Sequence, residues 1–183
     1  MGATVGKLLG PSRATKGGLG SARVDLDNGV IVSALVAVNA VGEIVDTVSN
    51  TVVAGIRAND VGQYDSAIDV AIGNTAKVPV AGTNTTLGLI ATNANLSKTQ
   101  LKKVAEMAHD GMARAIRPIH TQFDGDTVFA VSMPLSEVET TPDAQLNSIG
   151  IAGAKALEFA IVDAVRSAKS VGDVVACCDW HID

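Results

Sequence analysis

Val30-Ile31-Val32-Ser33-Ala34-Leu35-Val36-Ala37-Val38 carries no charge, and Asp27-Asn28-Gly29 leads into it. An Asn-Gly step before an apolar run of β-branched residues predicts a hairpin turn feeding a strand. Apolar side chains occupy odd and even positions alike, so the strand is expected to be buried on both faces, and the chain must supply layers to cover it. Those layers have to approach closely. Only 3% of the residues are aromatic, while Gly and Ala abound, so packing falls to small residues and β-branched aliphatics, which suits sheet against helix.

The rest of the pattern is consistent with an α/β domain. Val52-Val53-Ala54-Gly55 predicts a weaker strand, and Leu87–Thr92 and Val128–Ser132 predict two more. Between these last two, Ser97-Lys98-Thr99-Gln100 forms a capping box, followed by Leu101, Val104, Ala105, Ala108 and Met112 at helical spacing, with Pro118 beyond the far end. A second long helix is expected from about Asp143 to Lys169, with Leu146, Ile149, Gly150, Gly153, Ala154, Leu157, Ile161 and Val165 facing inward. Its two glycines cost helix propensity, so their expected use is close approach of a neighbouring layer. With no internal repeat, linker or charge run, 1–183 reads as one domain.

Charge and composition narrow the function. A net charge of −5 with scattered Lys and Arg argues against nucleic acid, and scarce aromatics leave few stacking platforms. The absence of a long apolar run or a signal-peptide pattern predicts a soluble, cytoplasmic protein with no membrane partner. Cys177 and Cys178 are adjacent, which fits neither a disulfide framework nor a Cys-x-x-Cys zinc site, so reduced structural cysteines are expected. Asp179 and His181 lie near them without making a metal site, and no metal or other cofactor is implied.

Two clusters carry chemistry. In Asn84-Thr85-Thr86-Leu87-Gly88 a polar Ala81-Gly82-Thr83-Asn84 loop enters an apolar stretch. The Asn84-Thr85 bond reads either as an ordinary loop entering a strand or as a self-cleavage point that leaves Thr85 as a new N-terminus. In the second case the weak hydroxyl nucleophile gains its own base, because an α-amino group has a pKa of about 7.7–8.0. The other cluster is Phe123-Asp124-Gly125-Asp126-Thr127. Extended, it places Asp124 and Asp126 on one face of a strand; tight, Asp-Gly is a hairpin turn. Close carboxylates repel one another unless a cation lies between them, and a free amine on Thr85 would be such a cation.

Lys7, in Gly2-Ala3-Thr4-Val5-Gly6-Lys7, is not a Walker A lysine, because three residues separate the glycines and Leu8 follows. It is either an exposed lysine or a charge placed in a cleft. Asn39, where the most apolar strand ends, is either a turn former or an oxyanion donor. His109 and His120 lack a Gly-x-Ser-x-Gly partner and read as structural.

Gly2–Lys7, Lys16-Gly17-Gly18-Leu19-Gly20, Leu35–Ala40, Asn84-Thr85-Thr86, Ile90–Ala94, and above all Met107-Ala108-His109-Asp110-Gly111-Met112-Ala113-Arg114-Ala115-Ile116-Arg117-Pro118 through Asp126-Thr127 resemble the L-aminopeptidase/D-esterase (DmpA-type) peptidases. Within that family they resemble the nylon-oligomer (6-aminohexanoate oligomer) hydrolases most. The resemblance implies a four-layer αββα sandwich similar to N-terminal-nucleophile hydrolases. It also implies self-cleavage into parts 1–84 and 85–183, with Thr85 as nucleophile, Asn84 across the cut, Asp124 and Asp126 as the acidic pair, and Lys7 and Asn39 completing the site. A small peptide or amide substrate and a homo-oligomer follow from the same resemblance. Family precursors are longer, which implies an N-terminally incomplete fold. A self-processing amide hydrolase is therefore weighed against a noncatalytic remnant acting through subunit association, and against a small-ligand binding module.

Overall fold

The computed structural model describes residues 2–73, 84–134 and 141–180. In chain order come β1 (Thr4–Val5), β2 (Thr15–Lys16), β3 (Gly18–Asp25), β4 (Ile31–Val38), β5 (Glu43–Asp46), β6 (Thr51–Ala54), β7 (Ile56–Arg57), β8 (Tyr64–Asp65) and α1 (Ala67–Ile72). After these come β9 (Leu87–Thr92), α2 (Lys98–Ala115), β10 (Ile116–Arg117), β11 (Thr127–Ser132), α3 (Asp143–Arg166) and α4 (Cys177–Trp180).

The main sheet has the order β11-β9-β4-β3. The expected hairpin joins β3 to β4: Leu26 N–H donates to Val30 O at 2.9 Å, and Gly29 takes φ +81°, a conformation open to glycine at no steric cost. β4 and β9 are antiparallel, whereas β9 and β11 run parallel, because α2 carries the chain back across the sheet between them. The capping box starts α2 as expected. Ser97 Oγ accepts the Gln100 N–H at 3.3 Å, and Gln100 Oε1 accepts the Ser97 N–H at 3.0 Å. A smaller sheet, β10-β5-β6, adds Ile44, Ala54 and Ile116 to the same core.

Helices α2 and α3 pack on each other and on one face of the main sheet. Val104, Ala108 and Met112 of α2 and Ile149, Leu157, Ile161 and Val165 of α3 meet Val32, Val36, Val38 and Ile90 there, all fully or almost fully buried. The layers touch through small residues. A Cβ on Gly20 would fall on the Ala160 carbonyl oxygen and lie 2.7 Å from Ala164 Cα, so no side chain fits between β3 and α3. Gly150 has the expected use, since a Cβ there would run into the Met107 side chain. Gly153 does not: its nearest neighbour, Ile90 Cγ2, would be 3.5 Å away, an ordinary contact. Helix α3 begins at Asp143 as expected and ends three residues short of Lys169.

β4 corrects the expectation of a strand buried on both faces. Its alternate residues Val32, Ala34, Val36 and Val38 are buried, but Leu35 is 51% exposed. Leu19 on β3 and Phe129 on β11 are 69% and 60% exposed on the same side. Successive side chains in a strand point to opposite faces, and the described helices cover only one. The cysteines are free: Cys177 is buried, with Sγ 3.1 Å from Val165 O and its thiol pKa pushed up by burial, while Cys178 is exposed. His181 and the Ala81-Gly82-Thr83 stretch lie outside the described residues. Among the described residues, no helix is long and apolar enough to cross a membrane.

Candidate active site

The site forms where β4 ends and where the chain approaches β9 and β11. Asn84 bridges Asp124 in parallel, so the β9–β11 pairing continues backwards past both strand starts. That settles the reading of Asp124-Gly125-Asp126. The segment runs extended beside Asn84–Thr86, and the turn lies one step earlier, where Asp124 N–H donates to Thr121 O at 3.0 Å. The hairpin reading fails because an Asp-Gly hairpin joins antiparallel neighbours, and β11's neighbour is parallel.

The residues that the resemblance put at the site, Lys7, Asn39, Asn84, Thr85, Asp124 and Asp126, converge here. Thr85 N–H donates to the Asn39 carbonyl at 2.9 Å. Lys7 Nζ donates to Asn39 Oδ1 at 2.7 Å and to Asn39 O at 3.2 Å, and Thr4 N–H reaches the same Oδ1 at 3.1 Å. Asn39 thus ties the strand end, the lysine and the Thr85 amide together. Lys7 can reach it because Gly6 and Lys7 donate to the Gly42 and Val41 carbonyls just beyond Asn39. The turn into that pairing needs φ +69° at Gly6, where a Cβ would collide with the Gly55–Ile56 backbone. Half-burial holds the Lys7 ammonium down at about 8, with the Asp124 charge pulling the other way.

The two acids bracket Thr85. Asp126 Oδ1 accepts Thr86 N–H at 2.8 Å. Asp124 Oδ2 accepts Thr121 N–H at 2.9 Å and Thr121 Oγ1–H at 2.7 Å. Its other oxygen, Oδ1, is buried without a hydrogen-bond partner among the described residues. Asp126 thus holds the residue after Thr85 and Asp124 is tied to Thr121, while the Thr85 hydroxyl itself donates to the Asn84 carbonyl at 2.6 Å. That carbonyl also accepts Gly125 N–H at 2.9 Å.

Gly125 and His120 are the functional candidates that sequence reasoning missed. A Cβ on Gly125 would sit 2.7 Å from Thr85 Oγ1, so the glycine keeps space for the hydroxyl. The signal was available in the extended reading of Asp-Gly-Asp. His120 Nδ1 lies 3.0 Å from Asp126 Oδ2, and its Nε2 lies 3.3 Å from His109 Nδ1, contacts between parts of the chain that spacing does not relate.

At the level of fold, the chain superposes on the L-aminopeptidase D-Ala-esterase/amidase of Ochrobactrum anthropi, described as a variant of the N-terminal-nucleophile hydrolase fold. The TM-score is 0.58 at 20% identity, covering 94% of this chain and 50% of that one. The likeness is one of fold, an α/β sandwich. The pattern of peptidase family S58 matches residues 2–176, and the chain belongs to that family. An uncharacterized aminopeptidase of Mycobacterium leprae is 35% identical over 97% of this chain and 51% of its own length. A 6-aminohexanoate-oligomer endohydrolase of Paenarthrobacter ureafaciens is 36% identical over 67% of this chain and 35% of its own. The chain therefore spans about half, or less, of the length of these curated relatives.

Proposed function

We propose that this chain is a self-processing amide hydrolase in which Thr85 is the nucleophile, first on its own backbone and then on an external amide. One observation carries the reading: the Asn84 carbonyl oxygen accepts both the Thr85 hydroxyl, at 2.6 Å, and the Gly125 amide, at 2.9 Å. Attack of Oγ on the Asn84 carbonyl carbon would place negative charge on an oxygen already facing a backbone donor. The hydroxyl proton passes to the leaving Thr85 nitrogen, and the peptide bond becomes an ester. Water then hydrolyses the ester, giving an Asn84 carboxylate and a Thr85 with free hydroxyl and free α-amine. With its pKa held near 8, Lys7 is partly neutral at neutral pH and can take up the hydroxyl proton on the way.

After the cut, parts 1–84 and 85–183 remain associated through the β4–β9 pairing. The new amine serves as base for attack by Oγ on a substrate carbonyl. An acyl-enzyme forms, the substrate amine leaves, and water releases the acid. Asp124, whose Oδ1 is buried without a hydrogen-bond partner among the described residues, is the acid this reading assigns to the new amine, and Asn39 with Lys7 is assigned to the second oxyanion. The substrate class is a small peptide or ω-amino amide, and the likeness to the 6-aminohexanoate-oligomer endohydrolase supports amide oligomers within it. The reading needs no cofactor and includes a cytoplasmic homo-oligomer.

The uncovered sheet face favours one competing reading, a noncatalytic remnant acting through subunit association. Intact mass separates the two. The catalytic reading expects one piece ending at Asn84 and one beginning at Thr85, a Thr85→Ala protein that stays whole and inactive while folded, and partial retention in Thr85→Ser. A wild-type chain that is folded yet stays whole after long incubation refutes it.

A further inference from the structure

One dipeptide holds both acids. Thr121 binds Asp124 Oδ2 through its amide and hydroxyl, and the residue before it, His120, faces Asp126 Oδ2 with Nδ1 at 3.0 Å. The Asp126 side chain is only 1% exposed, so its hydrogen bonds rather than water set the direction of its oxygens. Oδ1 is spent on the Thr86 amide, which fixes the peptide immediately after the nucleophile. The His120 backbone sits at φ +55°, in the left-handed region that non-glycine residues enter uncommonly, and such conformations collect where the surrounding structure demands them. Behind it the His109 ring stands with its centroid 5.0 Å away, and the ring nitrogens meet at 3.3 Å.

We propose that His120 is a positioning residue for the reaction at Thr85: its Nδ1–H holds Asp126 Oδ2, so that Oδ1 keeps the Thr86 amide in place, while His109 selects the tautomer of His120. The inference rests on the reading of Thr85 as nucleophile. With Nδ1–H committed to the carboxylate, neutral His120 presents Nε2 as an acceptor, which His109 Nδ1–H can fill. Burial above all holds the His109 pKa below the ordinary histidine value, which favours the neutral ring. The ionisable groups meeting this pair are Asp126, on the approach to β11, and Asp110, beside His109 on α2.

Two variants of similar size separate positioning from mere packing. His120→Asn offers an amide N–H near the place of Nδ1, and His120→Asp offers only acceptors there; both residue types tolerate the left-handed backbone. Self-cleavage is followed by intact mass, with circular dichroism and thermal melting as the check on folding. The expected result is a rate within about threefold of wild type for His120→Asn and a loss of at least about tenfold for His120→Asp. Equal rates in the two variants, fast or slow, overturn the proposal. A second measurement does not depend on cleavage or on either variant folding: ¹⁵N imidazole shifts in the whole Thr85→Ala protein should show His120 protonated at Nδ1, and the Nε2–H tautomer overturns the inference. A wild-type chain that never cleaves removes the reading of Thr85 and the role of His120 with it. A wild-type chain that cleaves beside an equally fast His120→Asp removes the second alone.

Discussion

The two faces of the main sheet are built from similar residues and meet opposite fates. On the shut face Ala34, Val36, Ile90 and Val128 lie under α2 and α3. On the open face Leu35 pairs with Leu89, and Leu89 with Phe129, so that an apolar row crosses three strands in water. Leu19, Ala37 and Leu87 form the row beside it. Alternation along a strand assigns each residue to a face, but burial depends on what packs there, and among the described residues helices pack on one side only. An apolar surface this continuous marks a place for packing against something else. The candidate site lies at the rim between the faces, where Thr86 is fully buried, Leu87 is 46% exposed, and half-buried Thr85 precedes them.

The comparison breaks most readily on the shut face. Gly20→Val drives a side chain into the Ala160 and Ala164 backbone, which cannot rotate away as a side chain would, so a loss of at least about 3 kcal/mol is expected, at the top of the usual overpacking range. Urea denaturation measures it, and a loss below about 1 kcal/mol would mean that β3 and α3 are not in contact.

At the rim the expected effect is on chemistry rather than stability. Gly125→Ala places a methyl 2.7 Å from the Thr85 hydroxyl on an otherwise exposed residue. Self-cleavage is expected to slow by at least about tenfold, with unfolding little changed. Lys7 adds a pH signature. If the neutral amine takes the hydroxyl proton, cleavage should accelerate up to about pH 8 and level off above it, and Lys7→Met should flatten the profile. The sign for stability follows from the same depression. Between about 8 and the ordinary 10.5 the unfolded chain binds the Lys7 proton that the folded chain has released, so stability should rise with pH across that window.

The open face should respond least. Leu35→Ser and Phe129→Ser are each expected to change unfolding by no more than about 0.5 kcal/mol, while binding of an apolar dye drops. A loss above about 2 kcal/mol from either would mean that the face is covered in solution.

Elements governed by neighbouring residues were legible in the sequence. The Asn28-Gly29 hairpin, the Ser97–Gln100 box, the β9 span and the start of α3 all depend on turn chemistry, capping or periodicity within a few positions. Short strands such as β1, β2, β7 and β8 carried no readable pattern, since two residues have no period and their pairing partners lie elsewhere in the chain. For the same reason β3, with glycine at two of its first three positions, was missed: its place is set by how closely α3 approaches, not by its own propensity.

The sequence by itself determined which residues are candidates for the chemistry, because hydroxyl, carboxylate, amine and amide are properties of side chains, and because the words containing Lys7, Asn39, Asn84-Thr85 and Asp124–Asp126 resemble those of a known family. Tertiary structure decided the rest. Only the parallel placement of β9 and β11 turned Asp-Gly-Asp from a hairpin into an extended clamp beside Thr85. Only the fold around Asn39 brought Lys7 and the Thr85 amide onto one residue, and only the return of the chain after α2 set His120 against Asp126. Which face of β4 would be buried was likewise undecidable from an apolar run, because hydrophobic side chains favour leaving water but do not specify the layer that receives them.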